Sequence, residues 1–205
     1  MSTAAAAIFG LVLTADVEGE RVTYASWTPV PETVHPQGRA KAGDACIAES
    51  GRPDAEVALA ERRGEWIGVV ATSHEPAVTT CLVHLPSDSE EVGDVSSATS
   101  GGEGAVPAHG QFTDGAISEF LNPNDQSYVS FNIGDVGAGV VGVTITTADG
   151  HIVDATVEGG RFLAWWPGRA FGSSTEGNGG PAPSLSYRIT LDNGTVVDNA
   201  TPVRP

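Results

Sequence analysis

The stretch GVTITTADGHIVDATVEGGRFLAWWPG, residues 142–168, decides how this chain folds. Its first part alternates apolar and polar residues with a period of two, as a half-buried strand does. Asp149-Gly150 then supplies a hairpin turn, HIVDATV a second strand, and Glu158-Gly159-Gly160 another turn into RFLAWW. On that last strand Phe162, Ala164 and Trp166 share one side and Leu163 and Trp165 the other. Both sides are apolar. Such a strand is either covered on both faces or packs one face inside and offers the other to a partner. Two of the chain's four tryptophans stand side by side here, and the long loop PGRAFGSSTEGNGGPAPS (residues 167–184) follows them. Trp165, Trp166 and, from that loop, Phe171 are therefore the candidate binding residues, one tryptophan acting as a stacking platform at the strand's end. Packing of both rings in a core is the competing reading.

Working outward, SYVSFNIGDV alternates with Val129, Phe131 and Ile133 on one face, and VVGVTITT puts Val141, Val143 and Ile145 together. A final hairpin joins LSYRITL to TVV through Asp192-Asn193-Gly194. At least six strands with tight turns predict an antiparallel β-sandwich-like domain over residues 111–205. The Cys-Trp-Cys signature of immunoglobulin domains is absent.

Upstream, QGRAKAGDACIAES (residues 37–50) is alanine-rich and free of β-branched runs, which suits one short helix stopped by Gly51 and Pro53. AEVALA, EWIGVVATS and AVTTCLVHL are three strand-like runs, with Arg62-Arg63-Gly64 read as the first separator. Cys81 points with Val83 and Leu85, toward the layer where the helix and Cys46 would lie. The two cysteines form a disulfide there or remain two buried thiols. A small α+β module is expected over 36–86, followed at 87–110 by a Ser/Gly/acidic linker or long loop with no site of its own. The fold class expected is mainly β with a small α+β N-terminal module.

Residues 1–35 hold an apolar segment, nearly continuous from Ala4 to Ala15, and a proline-punctuated spacer. The segment is too short to span a bilayer and lacks a basic leader. Three readings stand: the downstream end of an anchor begun before Met1, a degenerate signal, or a first strand. With 26 acidic against 10 basic side chains the net charge is −16, which opposes binding to nucleic acid and to anionic membranes.

The run at 142–168, its lead-in SYVSFNIGDVGAGVVGV, and ACIAES…ERRGEWIGVVAT…TTCLVHL upstream resemble a family of uncharacterised extracytoplasmic proteins of actinobacteria. The likeness covers most of the chain after Trp27 and is sharpest at AWWPG. It implies a globular part outside the cytoplasmic membrane behind a single anchor, in some cases in regulatory, anti-sigma-like settings. It also favours the truncated anchor or signal among the three N-terminal readings.

No nucleophile elbow, zinc-protease motif, phosphate loop or dinucleotide fingerprint occurs, so neither a cofactor nor a metal is expected and no catalytic residue is nominated. His35, His74, His84, His109 and His151 are scattered singly and read as solvated or hydrogen-bonded. The oxygen-rich DNGTVVD and NPNDQ read as turns rather than calcium loops. The functional expectation is a binding or interaction module at the cell envelope, plausibly the sensor part of a membrane signalling protein, with an envelope protein or cell-wall ligand as partner. The alternatives are a structural envelope domain and a hydrolase whose site is assembled across strands.

Overall fold

The computed structural model describes residues 24–74, 77–101, 106–121, 127–171 and 183–204. The apolar run at 4–15, the NPNDQ segment and most of the loop after Phe171 lie outside these. No helix among the described residues is long and apolar enough to cross a membrane.

Among the described residues one helix and twelve strands form four layers. Helix α1 (Pro36–Ser50) starts at His35, whose imidazole accepts from the Gln37 amide, has Pro36 in its first turn, and ends at Gly51 with φ 65°. It lies on a first sheet of order β1-β2-β3-β4: β1 (Glu56–Arg63), β2 (Trp66–Thr72), β3 (Ala77–His84) and β4 (Val95–Gly101). The middle sheet has the order β5-β6-β10-β9, from β5 (Ala116–Leu121), β6 (Tyr128–Asp135), β9 (Thr156–Glu158) and β10 (Arg161–Pro167). The outer sheet runs β12-β11-β7-β8, from β7 (Val140–Thr146), β8 (Ile152–Asp154), β11 (Ser186–Leu191) and β12 (Val196–Ala200). All ladders are antiparallel.

Alternation along the strands builds three cores. Ile67, Val69 and Val83 face α1. Leu59, Trp66, Val70 and Leu82 turn the other way and meet Val129, Phe131, Ile133, Leu163 and Trp165 of the middle sheet. Phe162, Ala164 and Trp166 face Val143, Ile145, Val153 and Ile189 of the outer sheet. The strand apolar on both sides is apolar because its sheet is the middle layer.

Four expectations need correction. The strand read as ending at Ala60 continues through Arg63, and the turn falls at Gly64 and Glu65. Residues Val95–Gly101, inside the expected linker, form β4, which pairs along β3 and sets the Thr99 hydroxyl 3.1 Å from that of Thr79. HIVDATV is not one strand: it breaks at Ala155 and steps from the outer to the middle sheet. Val141 does not share the inner face, because a register irregularity opposite Thr190 and Leu191 turns it out, 56% exposed, and leaves Val140 inside.

The proline-rich stretch read as a spacer is also part of the body from residue 24 onward. Trp27 Nε1 donates to the Trp165 carbonyl at 3.0 Å, Asp154 N donates to Pro29 O at 3.0 Å, and Glu32 exchanges both backbone bonds with Arg62.

Cys46 and Cys81 are joined in a disulfide at a sequence separation of 35, as the facing of Cys81 anticipated. The helix needs it. Its fully buried positions are only Ala42, Gly43 and Cys46, with Ile47 partly buried against the same core, and a Cβ at Gly43 would fall 2.4 Å from Val57 Cγ2, so α1 docks mainly by close approach. The Cys46→Ser/Cys81→Ser double variant should lose about 3–4 kcal/mol in urea unfolding. Amide exchange should rise first across Pro36–Ser50, with β10 still protected; an unchanged urea midpoint would show that packing alone holds the helix.

Candidate functional site

The residues nominated by sequence come first. Trp165 and Trp166 are fully buried and on opposite faces of β10, so they contribute to two different cores and to no common surface. The platform reading is corrected accordingly: the strand's end is covered by the outer sheet on one side and by the first sheet on the other. The fit over Trp165 is close, since a Cβ on Gly68 would sit 3.0 Å from its Cδ1. Phe171 is half-buried at the beginning of its loop. Its amide and that of Ala170 both donate to Glu119 Oε2, at 3.2 and 3.0 Å, while Arg169 Nε donates to Oε1 and its guanidinium lies 4.4 Å from the Tyr128 ring centre. Glu119, which the sequence did not single out, thus ties this loop's start to β5.

Beneath β10 lies a second unanticipated group. Glu61 and Arg63 stand two residues apart on β1, on the face toward the middle sheet, with both side chains wholly buried. Arg63 donates to Glu61 Oε1 at 2.8 Å, to the carbonyls of Thr28 and Pro29 at 3.0 and 2.7 Å, and to that of Asp154 at 2.6 Å. The guanidinium carbon sits 6.0 Å from the ring centres of both Trp27 and Trp165. The other oxygen of Glu61 accepts from the Thr156 amide at 3.2 Å. Burial pushes the Glu61 carboxyl up from its ordinary value, against the pull of Arg63 and Thr156. Both carboxylate oxygens are engaged and enclosed, which makes the pair an architectural joint rather than a reaction centre.

The open concavity lies elsewhere, where edge strands β5 and β12 face each other across the gap between the middle and outer sheets. It measures about 370 Å³. Ile117, Leu185 and Tyr187 line its wall, and Asp114, Asn199 and Arg204 also border it. The Tyr187 hydroxyl donates to Asn132 Oδ1 at 3.0 Å, and Asn132 Nδ2 donates onward to the carbonyls of Asp114 and Ala116. Burial, then the charge of Asp114, raises the phenol well above its usual range, with Arg204 opposing. Tyr187 therefore stays a neutral donor at physiological pH. Asp114 Oδ2 and Arg204 Nη2 are 3.7 Å apart, with the aspartate side chain 26% exposed and the arginine 80%. Among the described residues Asn199 is the one non-glycine with positive φ, 51°, at a slip in register between β11 and β12. Asparagine tolerates that conformation, and bulges commonly border sites.

The sequence offered no signal for this cleft, because its charged pair comes from chain positions 90 residues apart (204 − 114). Among the described residues no cluster of three or more His, Cys, Asp or Glu side chains is arranged to hold a metal ion. The five histidines are spread over the fold, His84 beside Trp66 and His151 beside Trp27. What fold and site define is a four-layer, mainly β protein with a disulfide-held helix and a small amphipathic cleft. No protein-family model, curated protein or solved structure matches the chain.

Two outcomes follow. Trp165→Ala should cost about 3–5 kcal/mol in urea unfolding, as for a large core aromatic; a change near zero would return the ring to the surface. Because the folded pKa of Glu61 lies above the unfolded value near 4.5, the folded state binds its proton more tightly. The stabilising contribution is therefore fully present below that unfolded value and is lost as pH rises through the folded one. Urea titrations across acid and neutral pH should show wild type losing ground against Glu61→Gln over that window, and the opposite slope would mean that Arg63 outweighs burial.

Proposed function

We propose that this chain is an extracytoplasmic binding module of the cell envelope, tethered through its N-terminal segment, and that the β5/β12 cleft is where it takes its ligand. The observation that carries this reading is the cleft itself: a carboxylate and an exposed guanidinium at the rim, an apolar wall, and inner polar groups already satisfied by one another. Such a surface recognises a ligand by charge and shape and leaves the core undisturbed. The Cys46–Cys81 disulfide supports an oxidising compartment, where such bonds persist. A sensor role fits the packing of residues 24–32. They are bonded to Trp165, Arg62 and Arg63, so the body follows the segment that enters it.

The test joins location to binding. Intact mass without reduction, after thiol alkylation, is measured on protein from fractionated cells that make it. Retention of the purified chain on isolated envelope material is measured alongside. A disulfide-bonded species in the envelope fraction, retained on that material and released by Arg204→Gln, is the expected result. Two free thiols in the cytosolic fraction overturn it.

A further inference from the structure

We infer that the β5/β12 cleft is built for a small zwitterion with an apolar side chain, a free α-amino acid of the leucine type. This rests on the reading of the cleft as the ligand site. Three features of the geometry carry it.

The rim presents one anion and one cation, Asp114 and Arg204, at 3.7 Å. An α-amino acid holds its ammonium nitrogen and carboxylate oxygens roughly 3 Å apart across a single carbon. The two pairs match in spacing, so the ligand lies with its ammonium against Asp114 and its carboxylate against Arg204, four charges alternating in a square. A dipeptide separates its terminal charges by roughly 6 Å, too far to face both partners at once.

The protein's own pair is loose, which lets it open. At 3.7 Å it is longer than a charge-assisted hydrogen bond, and Arg204 is 80% exposed and free to swing. The backbone at Asp114, two residues before β5, is fixed more firmly, because the Asp114 carbonyl accepts from buried Asn132 at 2.6 Å. The segment carrying Arg204 is held to the body by the Val203 amide, which donates to Phe112 O at 2.8 Å. A preset carboxylate and a movable guanidinium suit capture of an ion of both signs.

Below the charges, Ile117, Leu185 and Tyr187 give the cleft an apolar wall. A branched aliphatic side chain buries its surface there, whereas glycine has nothing to place. The cleft's volume of about 370 Å³ leaves room for it. Hydrogen bonding inside the cleft does not compete, since the Tyr187 hydroxyl is committed to Asn132.

The experiment is calorimetric titration and ¹H–¹⁵N chemical-shift mapping of the 205-residue chain with L-leucine. The comparison ligands are leucinamide, which lacks the carboxylate, N-acetyl-leucine, which lacks the ammonium, leucyl-leucine and glycine. Leucine should saturate with shifts at Ile117, Tyr187 and Asn199, and each comparison ligand should bind roughly tenfold or more weakly. Arg204→Gln should abolish the preference for leucine over leucinamide, and Asp114→Asn the preference over N-acetyl-leucine. Arg188→Gln, on the far face where it pairs with Asp198, should change neither. Thermal unfolding of each variant checks that it is folded. No saturable shift at millimolar leucine, or equal binding of all five ligands, overturns the inference, and tighter leucyl-leucine binding overturns it in favour of a peptide terminus. If leucine fails while Arg204→Gln still releases the protein from envelope material, only the ligand class falls; if that variant has no effect either, the cleft reading falls as well.

Discussion

Arg63 is the point on which the layers converge. Its guanidinium is closed off from water and donates to a carboxylate on its own strand, to two carbonyls of the entering segment and to the carbonyl at the end of β8. A buried cation left short of partners is costly, so each acceptor is required to be where it is. That requirement fixes Thr28 and Pro29 against β1, and β8 against the same site. Glu61 extends the constraint by holding the Thr156 amide, the first residue of β9. The place where the chain leaves the outer sheet and joins the middle one is thus determined by two side chains of the first sheet. An apolar pair of similar volume would fill the same space, yet it would specify none of these backbone positions.

The opposite flank of the first sheet is organised differently. Helix α1 offers it alanine, glycine, a cysteine and one partly buried isoleucine, Ile47, and small groups remove little apolar surface from water. The covalent link to Cys81 supplies what packing does not. One sheet therefore has a polar lock on one face and a covalent staple on the other. The large apolar side chains are concentrated around the middle sheet.

This division explains how much of the fold could be read in advance. Period-two alternation in β6 and in β7 from Val143 onward, the turn residues at Asp149-Gly150 and Glu158-Gly159, and the alanine-rich run ended by Gly51 all act locally, and they were legible. The facing of Cys81 followed from the same alternation. Arg62-Arg63 before a glycine has the look of a solvated turn, and only the carbonyls brought in from residues 28, 29 and 154 make it strand interior. β4 has small hydroxylated residues and no apolar period, and it becomes a strand because β3 offers a ladder beside it. Trp165 and Trp166 showed a strand apolar on both sides, but whether a second layer or a partner covered it depended on sheets formed far away in sequence. The cleft was the least legible feature, since Asp114, Tyr187, Asn199 and Arg204 meet only after the sandwich has closed.

The two flanks of the sandwich differ, and that difference is why a cleft persists. On the β8/β9 flank the chain itself crosses between sheets, and the amides of Asp154, Ala155 and Thr156 are each fixed, to Pro29, Val143 and Glu61. On the β5/β12 flank the two edges come from distant parts of the chain, and the links across it include the Tyr187–Asn132 bond behind the gap, the Val203 amide on the Phe112 carbonyl and the wider Asp114–Arg204 pair. Asn132 also holds Asp114 and the first residue of β5, Ala116, through their carbonyls, while the slip at Asn199 bends the end of β12. The result is a gap with a hydrogen-bonded floor and an exposed, charged rim. The crossing of the chain closes one flank with backbone bonds, whereas the other is closed by side chains and the C-terminal segment, and the cleft lies on the latter.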